Sequence, residues 1–84
     1  MPKSSVATVT TTAAVVVPKT GFDQSVWLHS SSGTLYIGDA NLTVANGYRL
    51  DNGDKISIMV GDNEALYAIT SAGTANLYVL SQVN

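Results

Sequence analysis

The sequence predicts an all-β fold: a small antiparallel β-sandwich or partly open barrel of about seven short strands, with an extended N-terminal arm. Short runs of alternating apolar and polar residues, turn-forming residues between the runs, and no helical period anywhere in the chain predict it. The clearest stretch is 54–80, DKISIMVGDNEALYAITSAGTANLYVL. Ile56, Ile58 and Val60 alternate with Lys55, Ser57 and Met59, as in a strand with one buried face. Gly61, Asp62, Asn63 and Glu64 break that run, a second strand follows over 66–70, Ser71, Ala72 and Gly73 turn the chain, and Leu77 and Val79 alternate with Asn76, Tyr78 and Leu80 in a third. Links this short join antiparallel neighbours, so the stretch reads as a meander. A meander with one apolar face needs a covering layer, which must come from the residues before Asp54.

Residues 1–20, MPKSSVATVTTTAAVVVPKT, form the expected arm, and residues 21–84 the sandwich domain. Thr and Val favour extended backbone, nothing in the arm caps a helix, and Val15, Val16 and Val17 are its most strand-like part, ended by Pro18. Ordering the first dozen residues costs ~1 to 2 kcal/mol each with few large side chains to bury. They are therefore expected to be either disordered or held by another subunit, and the Val/Thr composition favours the second, as a strand added to a neighbour's sheet edge. Within the domain, 25–30 reads as a strand with Val26 and Leu28 on one face and Trp27 and His29 on the other. Ser30, Ser31, Ser32 and Gly33 read as a hairpin turn into a strand through Leu35 and Ile37. Leu42 and Val44 then lead to a turn at Asn46-Gly47 and a return through Tyr48 and Leu50.

The chain of 84 residues is one small domain with little margin of stability. It has no cysteine for a disulfide, and with a single histidine, His29, it offers no tetrahedral zinc set. Burial against a partner is the remaining route to added stability, which points to a homo-oligomer or a docked protein. Lys and Arg number 4 against 6 Asp and Glu, a formal charge of −2, and no basic cluster exists to drive nucleic-acid binding. No apolar run is long enough for a transmembrane helix, so no membrane partner is expected. Thr8, Thr10, Thr11 and Thr12 interrupt what would be the apolar region of a signal peptide, so the protein is expected to be soluble and made in the cytoplasm.

Chemistry is thinly represented. Ser25, Ser30, Ser31 or Ser32 could be set beside His29 and an aspartate, but no nucleophile-elbow glycine pattern surrounds any of them, and a lone histidine on the polar face of a strand is ordinarily a surface residue. Asp51 with Asp54, and Asp62 with Glu64, lie in turns whose spacing fits no EF-hand loop, and exposed turn carboxylates have no cause for a raised pKa. The glycines are spread through turns and are not gathered into a phosphate-binding loop. No enzymatic activity, cofactor or metal is therefore expected. What stands out is a set of large side chains on faces that parity assigns to solvent: Trp27, Met59, Tyr78 and Leu80. A monomer does not normally expose such groups together, so they are expected at a protein interface, with Val15, Val16 and Val17 contributing from the arm. The alternatives are that an arm or loop of the same chain covers them, or that a sugar stacks on Trp27.

The pieces VWLH at 26–29, TLYIG at 34–38, NGYRL at 46–50, GDKISIMV at 53–60, LYAI at 66–69 and ANLYVL at 75–80 occur in an order that resembles a group of small all-β virion proteins of tailed bacteriophages. Members of that group are capsid decoration or accessory proteins, and similar modules occur in neck, tail and fibre proteins. The resemblance implies a non-enzymatic virion structural protein, most simply a capsid decoration or cement protein that binds the assembled head lattice and stabilises it. It further implies a location on the capsid surface after synthesis in the host cytoplasm, the major capsid protein or another virion protein as partner, and a homo-oligomer with a trimer favoured. The alternative is a neck, tail or fibre component that binds a host-surface glycan. The Thr-rich leading segment, Trp27 and Tyr78 depart from the group's pattern.

Overall fold

The computed structural model describes residues 2–83, and the side chains of residues 3–83. Eight strands follow one another without a helix among the described residues: β1 Pro2–Val9, β2 Ala14–Val17, β3 Gln24–Ser30, β4 Leu35–Gly38, β5 Tyr48–Leu50, β6 Lys55–Val60, β7 Leu66–Ile69 and β8 Ala75–Val83. They form two four-stranded antiparallel sheets, ordered β1-β8-β3-β6 and β2-β7-β4-β5. A shortest dimension of 16 Å accommodates two layers ~10 Å apart and no third. The expected sandwich is therefore the observed architecture, and the two open sheets are not a barrel.

The topology is one long hairpin rolled over on itself. β4 pairs with β5, β3 with β6, β2 with β7 and β1 with β8. Pro2 faces Gln82 and Gln24 faces Val60, so in both β1:β8 and β3:β6 the partners are equidistant from Leu42. Only β2:β7 drifts noticeably, with an irregularity between Val15 and Val17. Two further pairings, β3:β8 and β4:β7, close the roll. This is the strand order of a jelly roll, a double sheet built from two Greek keys.

The bend at the centre of this hairpin occupies residues 39–47 and is made by side chains that bond to backbone. The Asp39 carboxylate accepts from the Asn41 N–H at 2.9 Å, and the Asn46 amide oxygen accepts from the Thr43 N–H at 2.8 Å. Local bonds of this kind compete with a sheet ladder, which is why Leu42 and Val44, expected in a strand, lie in a turn. Leu42 is buried there, and Gly47 packs so closely that a Cβ would stand 2.6 Å from Tyr36 Cβ and 2.7 Å from Leu42 Cδ1.

Two expectations of pairing are corrected by this topology. The 54–80 stretch is not a meander, because β6 and β8 lie in one sheet and β7 in the other, and the predicted hairpin between 25–30 and 35–37 is likewise an arch between sheets. The physical reason is reach. A link of about five residues spans ~16 Å, enough to cross between layers, so its length does not distinguish a hairpin from an arch. Residues 2–9 and 14–17 also differ from the expected arm held by a neighbour, since they pair with β8 and β7 of the same chain.

The core fills from both sheets: Val26, Leu28, Leu77 and Val79 from one, Val17, Leu35, Ile37, Leu50 and Ala68 from the other. Its buried polar groups are satisfied. Gln24 Nε2 donates to the Pro18 carbonyl at 3.0 Å, Ser30 Oγ to Gly33 at 2.8 Å and Thr70 Oγ1 to Thr34 at 2.9 Å, each tying a loop to the sheets. Gly53, at φ 88°, allows the turn in which the Asp54 N–H donates to Asp51 at 2.9 Å and the Gly53 N–H to Ser30 at 2.8 Å.

Replacing Gly47 by Ala is expected to destabilise the fold by ~1 to 3 kcal/mol, because the nearest obstacle is another residue's Cβ, which cannot rotate away. Urea denaturation checks this: a variant as stable as the parent means that the bend does not constrain the fold. Leu77→Ala, at a fully buried position of β8, is expected to cost ~2 to 5 kcal/mol by the same measurement.

Candidate functional site

The inner face of the β1-β8-β3-β6 sheet carries Val9, Val26, Leu28, Leu77 and Val79 into the core, and its outer face is assembled by register into rows. One row runs Ser4, Leu80, Trp27, Ser57, and the next runs Val6, Tyr78, His29, Lys55. A third places Gln82 beside Ser25 and Ser25 beside Met59. Each strand alternates, so the groups that miss the core necessarily gather on this side. Val6, Leu80, Trp27 and Tyr78 thus form a continuous apolar centre, with Ser4, Ser57, His29 and Lys55 at its margin.

The side chains are accessible as well as aligned. Trp27 is 43% exposed, Tyr78 47%, Leu80 40%, Met59 64% and Val6 59%. The His29 ring is half-buried and meets Tyr78 edge-on at a centroid distance of 6.2 Å, which orients the tyrosine across the face. Val6, Trp27, His29, Tyr78 and Leu80 line a broad open depression of about 830 Å³, and Met59 lies on the same face beyond it. Lys55 carries the one full charge among the described residues that line it, against a chain whose net charge is negative.

The residues expected from sequence at an interface divide into two sets. Trp27, Met59, Tyr78 and Leu80 are all exposed on this one face. Val15, Val16 and Val17 are elsewhere, on the edge strand of the other sheet. Val15 is exposed there beside Lys19, Asp39, Glu64 and Tyr67. Val16 packs against the core, and Val17 is 2% exposed and belongs to it. The inclusion of Val17 among accessible groups is therefore corrected: pairing of β2 with β7 turns it inward between the sheets. Val6, at the centre of the face, escaped the sequence reading because its neighbours depend on the register of β1 against β8, and nothing local in a Thr/Val-rich segment encodes that register.

Of the turn carboxylates, Asp51, Asp54 and Glu64 hold local structure together. Asp51 Oδ1 accepts from Arg49 Nε at 2.7 Å and from Thr34 Oγ1 at 3.3 Å, and the pairing raises the Arg49 pKa above its ordinary value through the hydrogen bond first and the charge second. Asp54 accepts from the Asp51 N–H, and Glu64 from the Gly61 N–H, both at 2.9 Å. Among the described residues no group of three or more His, Cys, Asp or Glu is placed to hold a metal ion. No helix among them is long and apolar enough to cross a membrane.

No family model matches this sequence, and no curated protein matches it. Among solved structures, one described under the words "Bacillus endospore appendages form a novel family of disulfide-linked pili" is similar with a TM-score of 0.57 at 12% identity, over 99% of this chain and 85% of that chain. At that identity the likeness concerns the fold alone, a small all-β sandwich. The sequence here has no cysteine, so the disulfide link named for that protein has no counterpart in it.

Trp27→Ala is expected to change unfolding stability by no more than ~1 kcal/mol, in contrast to Leu77→Ala, because its side chain borders solvent and not the core. Its fluorescence should also be quenched readily by iodide in the free protein. A collapse of stability, or a tryptophan shielded from quencher in the monomer, would show that this face is covered.

Proposed function

We propose that this protein is a non-enzymatic structural subunit that works by binding other protein subunits within an assembled particle. Its binding surface is the outer face of the β1-β8-β3-β6 sheet. The observation that carries the reading is the collection of Val6, Trp27, Met59, Tyr78 and Leu80 on one face with a polar margin, the composition expected where aromatic anchors are buried by a partner. The resemblance to small phage virion proteins favours a phage head as the particle and its capsid protein as the partner, decorated by this chain, with a trimer as the favoured oligomer. Binding to the assembled lattice and not to the free capsid subunit stabilises the particle by mass action, and many weak equivalent contacts add through multivalency.

A second reading is favoured by a separate observation. The likeness to a subunit of disulfide-linked pili extends over nearly the whole of this chain, which suits a sandwich that polymerises with its own kind. In this chain such a polymer would be held without disulfides.

Light scattering, co-sedimentation with purified heads and tails, and negative-stain microscopy of the protein alone separate the two. The expected result is a discrete oligomer that pellets with heads, with Trp27→Ala weakening that binding by more than ~1 kcal/mol while the fold persists. Filaments formed by the protein alone would move the assignment to the polymerising subunit. Pelleting with tails only, together with binding to glycans that is lost in Trp27→Ala, would move it to a tail or fibre component.

A further inference from the structure

β1 is attached to the molecule in an unusual way. It pairs with β8 along its whole length, from Pro2 opposite Gln82 to Val9 opposite Ala75. Yet Lys3, Ser4, Ser5, Val6 and Thr8 are all exposed, Ala7 is half-buried, and Val9 alone is buried. Lys3 and Ser5 share the inward parity of Ala7 and Val9, so the covering sheet fails to reach this part of the strand. What holds β1 is a backbone ladder, the buried Val9 and the half-buried Ala7. β8 is secured on its other side by β3, from Gln24 opposite Val83 to Ser30 opposite Leu77, so it keeps its place in the sheet when β1 departs.

The connection to the rest of the chain is short and is tied to the other sheet at Thr10. Residues 10–13 carry β1 from one sheet to β2 in the other. Thr10 Oγ1 and Thr12 bond each other locally, and the Thr10 carbonyl accepts from the Thr70 N–H at 2.9 Å. Opening at 11–13 would free a strand of eight residues, able to extend ~26 Å from its hinge.

We propose that β1 is an exchangeable strand, and that in an assembly it occupies the same edge of β8 in a second copy of this chain. The occupant follows from register. Val9 must enter the core beside Ala75, and a slip of one residue would turn Val9 and Ala7 outward, so the edge accepts a sequence with β1's own pattern. Every bond broken within one copy is remade between two, which leaves concentration and hinge strain to set the balance. Reciprocal exchange closes a dimer, and one-way exchange propagates a chain of subunits. The inference concerns the edge of the sheet and not its outer face, and it stands or falls independently of the head-binding reading.

Absence of native cysteine makes introduced thiols a direct report. Val6 and Tyr78 are directly opposite across the β1:β8 ladder and both exposed, so Val6→Cys and Tyr78→Cys leave the core untouched and lie within disulfide reach. The two full-length single variants, one bearing a tag so that mixed and like dimers separate, are folded apart, mixed at high concentration and oxidised. A mixed disulfide dimer is expected on non-reducing gels, and the double variant is expected to shift from monomer to cross-linked multimers as concentration rises. Val6→Cys with Trp27→Cys is the control, since these share the face but lie on strands that do not pair, and contact between faces would link them equally. Should Tyr78→Cys fail to fold, Ser4→Cys with Leu80→Cys tests another opposed pair. No mixed dimer, or a mixed dimer as abundant in the control, overturns the proposal.

Discussion

The structure depends on antiparallel pairing of the two halves of the chain about the bend at Leu42. Each strand before the bend meets the one at the mirrored position after it, and the resulting double strand rolls so that alternate pairs fall in opposite sheets. The bend matters because an error in its length would displace every later partner, and a one-residue displacement exchanges the inner and outer faces of a strand. That accounts for the local control at 39–47: carboxylate and amide side chains bonded to backbone, a leucine buried beneath them, and a glycine where a methyl group has no room.

The outer face is a by-product of the same register. β8 carries Leu77 and Val79 into the core and therefore Tyr78 and Leu80 away from it. β3 carries Val26 and Leu28 inward and therefore Trp27 outward. The two strands are neighbours, so two unrelated alternations place their outward residues side by side. β6, at the sheet margin, is less well covered: Ile56 is half-buried and Ile58 exposed although both have the inward parity of buried Val60. The molecule thus has more apolar surface than its own two layers can cover.

Strand identity was legible in the sequence because it depends on local alternation. Val26 with Leu28, Leu35 with Ile37, and Leu77 with Val79 are all buried as parity predicts. Pairing was not legible, because the same short link serves a hairpin or an arch, and the choice between them is made by which sheet needs cover. Residues 2–9 show the limit most clearly. Their weak alternation predicted a segment with no place in its own domain, and the burial of residues 3–9 agrees with that weakness. They nonetheless acquire a place from β8, seventy residues away, whose free edge supplies hydrogen-bonding partners that no local pattern announces. Of the outer face, the aromatic members were readable one strand at a time, whereas Val6 required knowledge of that long-range pairing.

The partnership of first strand with last has a consequence during synthesis. β8 is completed some seventy residues after β1, so at ~5 to 20 residues per second β1 is made several seconds before its own β8 exists. Throughout that interval, any β8 within reach belongs to a molecule translated earlier.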